Sequence, residues 1–220
     1  MESPRGQQLR KHPKESKKHM AEKKIEVLSR KDLRDLAVVG GGSDIIDWEL
    51  YDTLNIPNAG TQVNFKYFQQ SVGPNGITLE QTNMDIPAQL PNGVRFVVQE
   101  ILAQPVIGFT TSKADLTDLI KVSHQGVITL NIGTRSYFQV PILNCLGGVL
   151  QGFTSAFDAA TALTYAGPRS LVSGKLEYSP VIPSTFNFNV TLDYPTAPAP
   201  ATAVKFRVAL KGKLIRPRQG

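Results

Sequence analysis

Cysteine is almost absent from this chain, and long apolar runs are absent altogether. Cys145 is the single cysteine among 220 residues, which excludes an intramolecular disulfide and a zinc site built from cysteines. No run of about 18 apolar residues occurs, and no apolar stretch follows the charged amino terminus, so we expect neither a spanning helix nor a secretory signal. The 41% hydrophobic content still suffices for one sizeable folded domain.

Histidine is nearly as scarce, which limits the chemistry that the chain could perform. Of the three histidines, His12 and His19 lie in a polar amino-terminal segment, and only His124 falls in the apolar body. A lone imidazole beside a strand is more often a surface or capping residue than a general base. Cys145 lies among leucines and glycines, which indicates a buried, unreactive thiol. We find no metal-ligand spacing and no phosphate-binding or nucleophile motif, and we therefore predict no enzyme activity, no cofactor and no metal site.

Charge is distributed unevenly, because both ends of the chain are basic. Residues 1–24 contain eight Lys or Arg and three Glu, a balance of +5, and residues 205–220 contain six Lys or Arg and no acid, a balance of +6. Of the 24 basic and 18 acidic residues in total, ten and fifteen remain for the middle, a balance of −5. Basic tails favour polyanions because each neutralised phosphate releases counterions, although a tail that only maintains solubility has the same composition. The residues that we predict to contact nucleic acid or lipid headgroups are Arg5, Arg10, Lys11, Lys14, Lys17, Lys18, Lys23, Lys24, Lys213, Arg216 and Arg218.

The first 43 residues are predicted to form an arm that is separate from a folded domain at 44–220. Residues 1–24 are rich in Lys, Gln, Ser and Pro and contain no aromatic residue, so they cannot bury enough apolar surface to offset the entropy of ordering. We expect a flexible arm. Ser29 and Asp32 form a capping pair ahead of apolar residues at helical spacing, and three glycines at 40–42 end the element. This pattern predicts one short helix within the arm.

Apolar and polar residues alternate along much of the remaining chain, as half-buried β-strands require. The alternation is clearest at 185–193 and 202–213. We predict further strands at 63–67, 77–82, 93–104, 106–111, 128–132, 135–142 and 171–178, a hairpin at the turn around Gly133, and weak helices at 113–122 and 153–166. Many short strands with few helices predict an all-β fold, an antiparallel β-sandwich of the jelly-roll kind. The cations of the last strand would also suit an edge strand that is protected by charge against misassembly.

Two aromatic residues, Trp48 and Tyr51, lie among four acidic residues between positions 44 and 52. The acids do not follow the pattern of a calcium-binding loop, and we interpret them as a solvated face. Because aromatic residues favour interfaces, Trp48 and Tyr51 would anchor this segment either to the domain itself or to a neighbour. We predict both as subunit-interface residues.

Six short stretches of strand and turn are informative when they are taken together. They are TNMDIP at 82–87, QLPN at 89–92, FVVQ at 96–99, ITLNIG at 128–133, YFQVP at 137–141 and FRVALKG at 206–212. Over about residues 50–218, the chain thereby resembles the jelly-roll capsid proteins of tailless, icosahedral bacteriophages. Its length fits a single-barrel relative of the tectivirus and corticovirus lineages, because it is too short for their double barrel.

This resemblance implies a structural protein of the virion that is synthesised in the host cytoplasm. Copies would assemble as trimers or pseudo-hexameric capsomers, together with other capsid proteins, into an icosahedral shell. The basic termini would face the genome or an internal membrane, and no small-molecule substrate is implied.

Three other functions are compatible with an all-β domain. A carbohydrate-binding β-sandwich would need clustered exposed aromatic residues, which Tyr165 and Tyr178 do not obviously supply. A cupin-like enzyme would need several histidines and a carboxylate around a metal, and only one histidine lies in the predicted domain. A penton or spike subunit of the same virion would form isolated pentamers instead of sheets or shells.

Overall fold

The structure, a computed structural model, describes residues 27–28, 43–58, 60–106, 118, 121–123, 125–146 and 174–217. Residues 118 and 121–123 are helical, within and beside the helix predicted at 113–122. The described strands are β1 (Val27–Leu28), β2 (Ser43–Ile56), β3 (Asn64–Tyr67), β4 (Arg95–Pro105), β5 (Val127–Ile132), β6 (Arg135–Pro141), β7 (Gly174–Lys175), β8 (Ser179–Ile182), β9 (Phe188–Asp193) and β10 (Val204–Pro217), with 3-10 turns at Pro74–Gly76 and Ile142–Cys145.

The strands form two antiparallel sheets that face each other as a β-sandwich. The first sheet has the order β8-β4-β10-β2, and the two-residue strands β1 and β7 pair with β8 and β4. The second sheet has the order β3-β9-β5-β6. The fold is therefore an all-β sandwich, as the alternation of apolar residues predicts.

The pairing of the eight longer strands is nested. In chain order, the first of them pairs with the last, since β2 lies beside β10, and then β3 pairs with β9, β4 with β8, and β5 with β6. Two further pairs, β10 with β4 and β9 with β5, connect these units within each sheet. The chain thus has the connectivity of one long hairpin whose four strand pairs are folded over into two layers.

Alternate side chains from both sheets fill the space between the layers and belong to one hydrophobic cluster. Each side chain of this kind contributes about 1.5–3 kcal/mol when it is fully removed from water. The central members, all fully buried, are Phe188, Val190 and Leu192 from β9 and Phe206, Val208 and Leu210 from β10.

A β-bulge lies in the middle of the first sheet, where β10 pairs with β4 between Lys211 and Gly212. A Cβ added at Gly212 would lie 1.8 Å from the carbonyl oxygen of Val97, a distance that no side chain can occupy. The bulge also changes the inward-facing positions of β4 from even to odd residue numbers along the strand. Gly212 is therefore required by a close backbone approach at the bulge.

The predicted strands at 63–67, 93–104, 128–132, 135–142, 185–193 and 202–213 correspond to β3, β4, β5, β6, β9 and β10. The predicted hairpin is confirmed as β5 and β6, with Gly133 at a positive φ of 61°. Of the strand predicted at 171–178, residues 174–178 are described, and Gly174–Lys175 pair as β7. Within the predicted arm at 1–43, the segment 1–24 and the short helix after Ser29 lie outside the described residues, whereas Val27–Leu28 pair with β8 as β1. The helix at 153–166 and all but Val106 of the strand at 106–111 also lie outside them.

One predicted strand is wrong, one strand is not predicted, and the edge-strand interpretation of the last strand is excluded. Residues 77–82 form a turn, in which the N–H groups of Gln81 and Thr82 donate to the Thr78 carbonyl at 2.9 and 3.2 Å. No strand is predicted for the acidic segment around Trp48, which belongs to the 14-residue strand β2 and pairs with β10. Asp44, Asp47 and Glu49 are exposed, as a solvated face requires, whereas Asp52 is buried. The last strand is not an edge strand, since β10 lies between β4 and β2.

Candidate interaction surface

The two longest strands extend beyond the second sheet at one end of the sandwich. β2 and β10 each have 14 residues, whereas β3, β9, β5 and β6 have four to seven. At about 3.3 Å per residue, the long pair spans about 45 Å and the facing strands no more than about 23 Å. The exposed fraction of the inward-facing β2 side chains rises accordingly towards this end, from 4% at Leu50 to 45% at Trp48.

A groove of about 480 Å³ lies between this extension and the connection from β3 to β4. Its walls are mainly apolar, and polar side chains lie among its lining residues. The residues that define it are Ile46, Trp48, Leu90 and Leu214 on the walls, with Asp85 and Arg216 among the polar ones. The volume of the groove and its mainly apolar lining with a few polar groups are typical of a binding pocket.

Asn83 covers part of the outer edge of β2. The Tyr51 N–H donates to Asn83 Oδ1 at 2.9 Å, and Asn83 Nδ2 donates to the Glu49 carbonyl at 2.7 Å. The Asn83 N–H also donates to the Tyr51 carbonyl, at 3.3 Å. Asn83 thus replaces a neighbouring strand along this part of the edge. In the described part of the chain, no strand pairs with this edge of β2.

Tyr51 makes its contacts inside the chain. Its hydroxyl donates to the Leu79 carbonyl at 2.5 Å, and the Arg207 guanidinium lies 4.9 Å from the ring centroid. Arg207 in turn donates to Thr53 Oγ1 at 3.1 Å and to the Glu80 carbonyl at 2.7 Å. Of the two alternatives for this aromatic pair, Tyr51 therefore fits the anchor to its own domain, whereas Trp48 keeps an exposed face.

The predicted contact residues Lys213 and Arg216 lie beside carboxylates. Lys213 Nζ is 2.5 Å from Asp47 Oδ1, and Arg216 Nε is 3.9 Å from Asp44 Oδ2. Lys211 and Glu49 form a third cross-strand pair, at 3.7 Å. The remaining predicted contacts lie outside the described residues; they are Arg5, Arg10, Lys11, Lys14, Lys17, Lys18, Lys23, Lys24 and Arg218.

The outer face of the second sheet is different, because it carries amides and hydroxyls. Asn131 Nδ2 donates to Asn189 Oδ1 at 3.1 Å, and Ser136 Oγ donates to Asn131 Oδ1 at 2.7 Å. Thr129 and Thr191, paired across β5 and β9, are only 8% and 9% exposed although they face outward. Hydrogen bonds between amides and hydroxyls, together with those that Asn64 and Thr191 donate to the Asp193 carboxylate, organise the described part of this face.

Asp52 is a buried carboxylate that the sequence pattern does not reveal. It is 1% exposed and accepts the N–H groups of Phe68 at 2.5 Å and Thr53 at 3.0 Å. Burial raises its pKa to about 6, although hydrogen bonds from Phe68, Thr53 and Thr82 act in the opposite direction. Phe68 has a positive φ of 66°, and Asp52 thus fastens the turn after β3 to the edge of the first sheet.

The described residues contain little reactive chemistry. Cys145 is buried, and burial raises the pKa of its thiol to about 12, so that the nucleophilic thiolate is scarce at neutral pH. No group of three or more His, Cys, Asp or Glu in the described ranges is placed to hold a metal. Among these residues, no helix has the length and apolar character to cross a membrane. His124 lies outside them.

Comparison with known proteins gives no matching family model, no matching curated protein and no matching solved structure. The function is therefore inferred from strand order and surface chemistry.

Proposed function

We propose that this chain is a jelly-roll subunit of an icosahedral viral capsid, which assembles with copies of itself and with other capsid proteins in the virion. The observation that carries the proposal is the nested strand pairing. A jelly roll is a long antiparallel hairpin rolled into two four-stranded sheets, with the first strand beside the eighth, the second beside the seventh, the third beside the sixth and the fourth beside the fifth. The pairs β2·β10, β3·β9, β4·β8 and β5·β6 follow this order.

Strand order alone does not decide between functions, since jelly rolls also occur in lectins and cupins. The surfaces favour assembly. A half-exposed tryptophan beside an apolar groove is typical of a protein interface, and β2 presents its edge next to that groove. Among the described residues, the exposed aromatic residues Trp48 and Tyr178 lie towards opposite edges of the first sheet, whereas a sugar-binding platform would bring them together.

The first test is the assembly state of the purified full-length chain. Electron microscopy and sedimentation velocity are expected to show shells or hexagonal sheets whose amount rises with protein concentration. Isolated pentamers would favour a penton or spike subunit instead. A chain that remains monomeric at every concentration and binds glycans would contradict the proposal.

The basic amino-terminal segment supplies the proposed contact with genome or anionic membrane. Residues 1–24 carry a balance of +5, whereas Lys213 and Arg216 already lie beside acids. We expect deletion of residues 1–24 to abolish binding to single-stranded DNA, RNA and anionic vesicles at low salt, with the circular-dichroism spectrum of the β-sandwich retained. Binding that is unchanged by the deletion would contradict this role.

A further inference from the structure

We infer that the apolar groove beside Trp48 receives the exposed Tyr178 of a second copy, in a head-to-tail contact between neighbouring subunits. This inference deepens the proposed function, since it assumes that the chain assembles with itself and identifies the surfaces that meet.

Tyr178 is a prominent apolar projection of the described surface. It lies in the short connection between β7 and β8 and is 64% exposed. Solvent-exposed aromatic rings of this size contribute strongly to binding when a partner removes them from water. Its neighbour Glu177 is also exposed, so the projection combines an aromatic ring with a carboxylate.

The groove has the complementary character. It is a concave site of about 480 Å³ with Ile46, Trp48 and Leu214 on its walls and both Arg216 and Asp85 in its lining. Arg216 is 45% exposed and only 3.9 Å from Asp44, which is a weak ion pair. An incoming Tyr178 would cover the apolar walls, and Glu177 beside it would bring a carboxylate towards Arg216.

The projection and the groove lie towards opposite edges of one sheet, at the same level along the strands, and β1 pairs with β8 at Ser179 and Pro180 beside the projection. β4 and β10 separate β8 from β2, a distance of three strand spacings or about 15 Å. Lys175 pairs with Glu100, Glu100 with Lys211, and Lys211 with Glu49. These four residues therefore lie at one level across the sheet. Tyr178 lies three residues after Lys175, and Trp48 precedes Glu49.

Two different surfaces on opposite sides of a subunit define a heterologous contact, which closes into a ring when the rotation between subunits permits. Charge disfavours one register of a symmetric pairing of two β2 edges. Antiparallel pairing centred between Ile45 and Ile46 would place Asp44 opposite Asp47 of the other copy, and like charges directly opposite each other are destabilising. The head-to-tail arrangement avoids this repulsion.

The test uses two full-length variants that damage one surface each. Tyr178→Asp removes the projection, and Ile46→Lys places a charge in the groove wall, where the long lysine side chain can still reach water without unfolding the domain. The matched control is Val63→Asp, which replaces another exposed apolar residue, at 42% exposure, by the same charge. Circular dichroism verifies that each variant is folded.

Sedimentation velocity should show that each damaging variant needs at least about a 30-fold higher concentration than wild type to assemble, as expected for loss of a central interface residue. The control Val63→Asp should assemble like wild type. An equimolar mixture of the two variants should form a one-to-one dimer, because the intact projection of one fits the intact groove of the other. Trp48 is the only tryptophan of the chain, so this dimer should also shift the fluorescence emission to shorter wavelength.

The contact is overturned if wild type assembles and both variants assemble equally well, or if their mixture remains monomeric; the proposed capsid function survives either result. A wild-type chain that is monomeric at all concentrations overturns both the contact and the proposed function.

Discussion

The two sheets of the sandwich share one core but have different outer faces. The first sheet places ion pairs across its longest strand pair, Glu49 with Lys211 and Asp47 with Lys213. The second sheet places hydrogen bonds there, between amides such as Asn131 and Asn189 and from Thr191 to the Asp193 carboxylate. The strands of the second sheet are at most half as long as β2 and β10, and its central threonines are nearly buried. The alternation of apolar and polar residues therefore fixes which side chains face the core, and it leaves the outward positions free for other roles.

Those roles follow from the strengths of the interactions. Exposed ion pairs contribute little free energy, yet unlike charges opposite each other favour one register over its neighbours. Register matters most for β2 and β10, since a 14-residue pair has many ways to slip. The second sheet, with short strands, depends more on packing and hydrogen bonds. Substitutions in the two sheets should therefore differ in size and in salt dependence.

The largest effect is expected at the bulge of the first sheet. Gly212→Ala would place a Cβ 1.8 Å from the Val97 carbonyl oxygen, and relief requires β4 and β10 to move apart. We expect a loss of about 4 kcal/mol in the free energy of unfolding, measured by urea denaturation. Lys205→Ala, on an exposed position of the same strand, is the control and should change stability by less than about 0.5 kcal/mol. A Gly212→Ala protein with wild-type stability would show that the strands are not so closely apposed.

A smaller effect, dependent on pH, is expected from Asp52 at the edge of the same sheet. Its folded-state pKa of about 6 exceeds the ordinary value of 3.8, so protonation favours the folded state. This stabilisation is fully present below pH 3.8 and is lost as the pH rises through 6. Between pH 7 and pH 4, the stability of wild type relative to Asp52→Asn should rise by about 2 to 3 kcal/mol.

Chemical denaturation of both proteins at several pH values measures this difference, in which other titrating groups cancel. A constant difference between wild type and Asp52→Asn across the range would mean that the carboxyl group is solvated in the folded protein. If wild type instead gains stability relative to Asp52→Asn as the pH rises, the hydrogen bonds from Phe68 and Thr53 stabilise the carboxylate by more than its burial costs.

The sequence predicts the core better than the edges. Phe188, Val190 and Leu192 alternate with polar residues, and this period is sufficient to identify β9 and its inward face. β2 is missed although Ile46, Trp48 and Leu50 alternate with acids, because Asp52 then takes an inward position and interrupts the apolar series. The cations that pair with Asp47 and Glu49 lie more than 150 residues later in the chain. Only the strand pairing reveals that these acids face cations.

The groove and the buried carboxylate are equally invisible in the sequence. Asp52 belongs to a run of acids that suggests solvent exposure, and its burial depends on the backbone of Phe68 from another segment. The role of Asn83 at the edge of β2 likewise depends on long-range contacts with Tyr51 and Glu49. Trp48 is predicted as an interface residue because aromatic residues favour interfaces, and its 45% exposure leaves a surface for the assembly experiments to test.

On the second sheet, Asn131 offers a test of the neutral hydrogen-bonded face. Asn131→Ala removes the donor to Asn189 and the acceptor for Ser136, and a loss of about 1 kcal/mol is expected because each net contribution is modest. A double-mutant cycle with Asn189→Ala, measured by urea denaturation, should give a coupling of about 0.5 kcal/mol that does not change with salt. Strong salt dependence would mean that charges also organise this face.

The smallest effect is expected for the ion pair of Lys213 with Asp47. The lysine side chain is 34% exposed and the aspartate 83% exposed, so water and salt screen the pair and side-chain entropy opposes it. A double-mutant cycle of Lys213→Ala and Asp47→Ala should give a coupling below about 0.5 kcal/mol at low salt, and less at high salt. The charge reversal Lys213→Glu, opposite Asp47, should cost more than Lys213→Ala because like charges then face each other. If the cycle instead gives more than about 1.5 kcal/mol, the ion pairs of the first sheet stabilise the fold as strongly as the hydrogen bonds of the second, and the contrast between the two faces is lost.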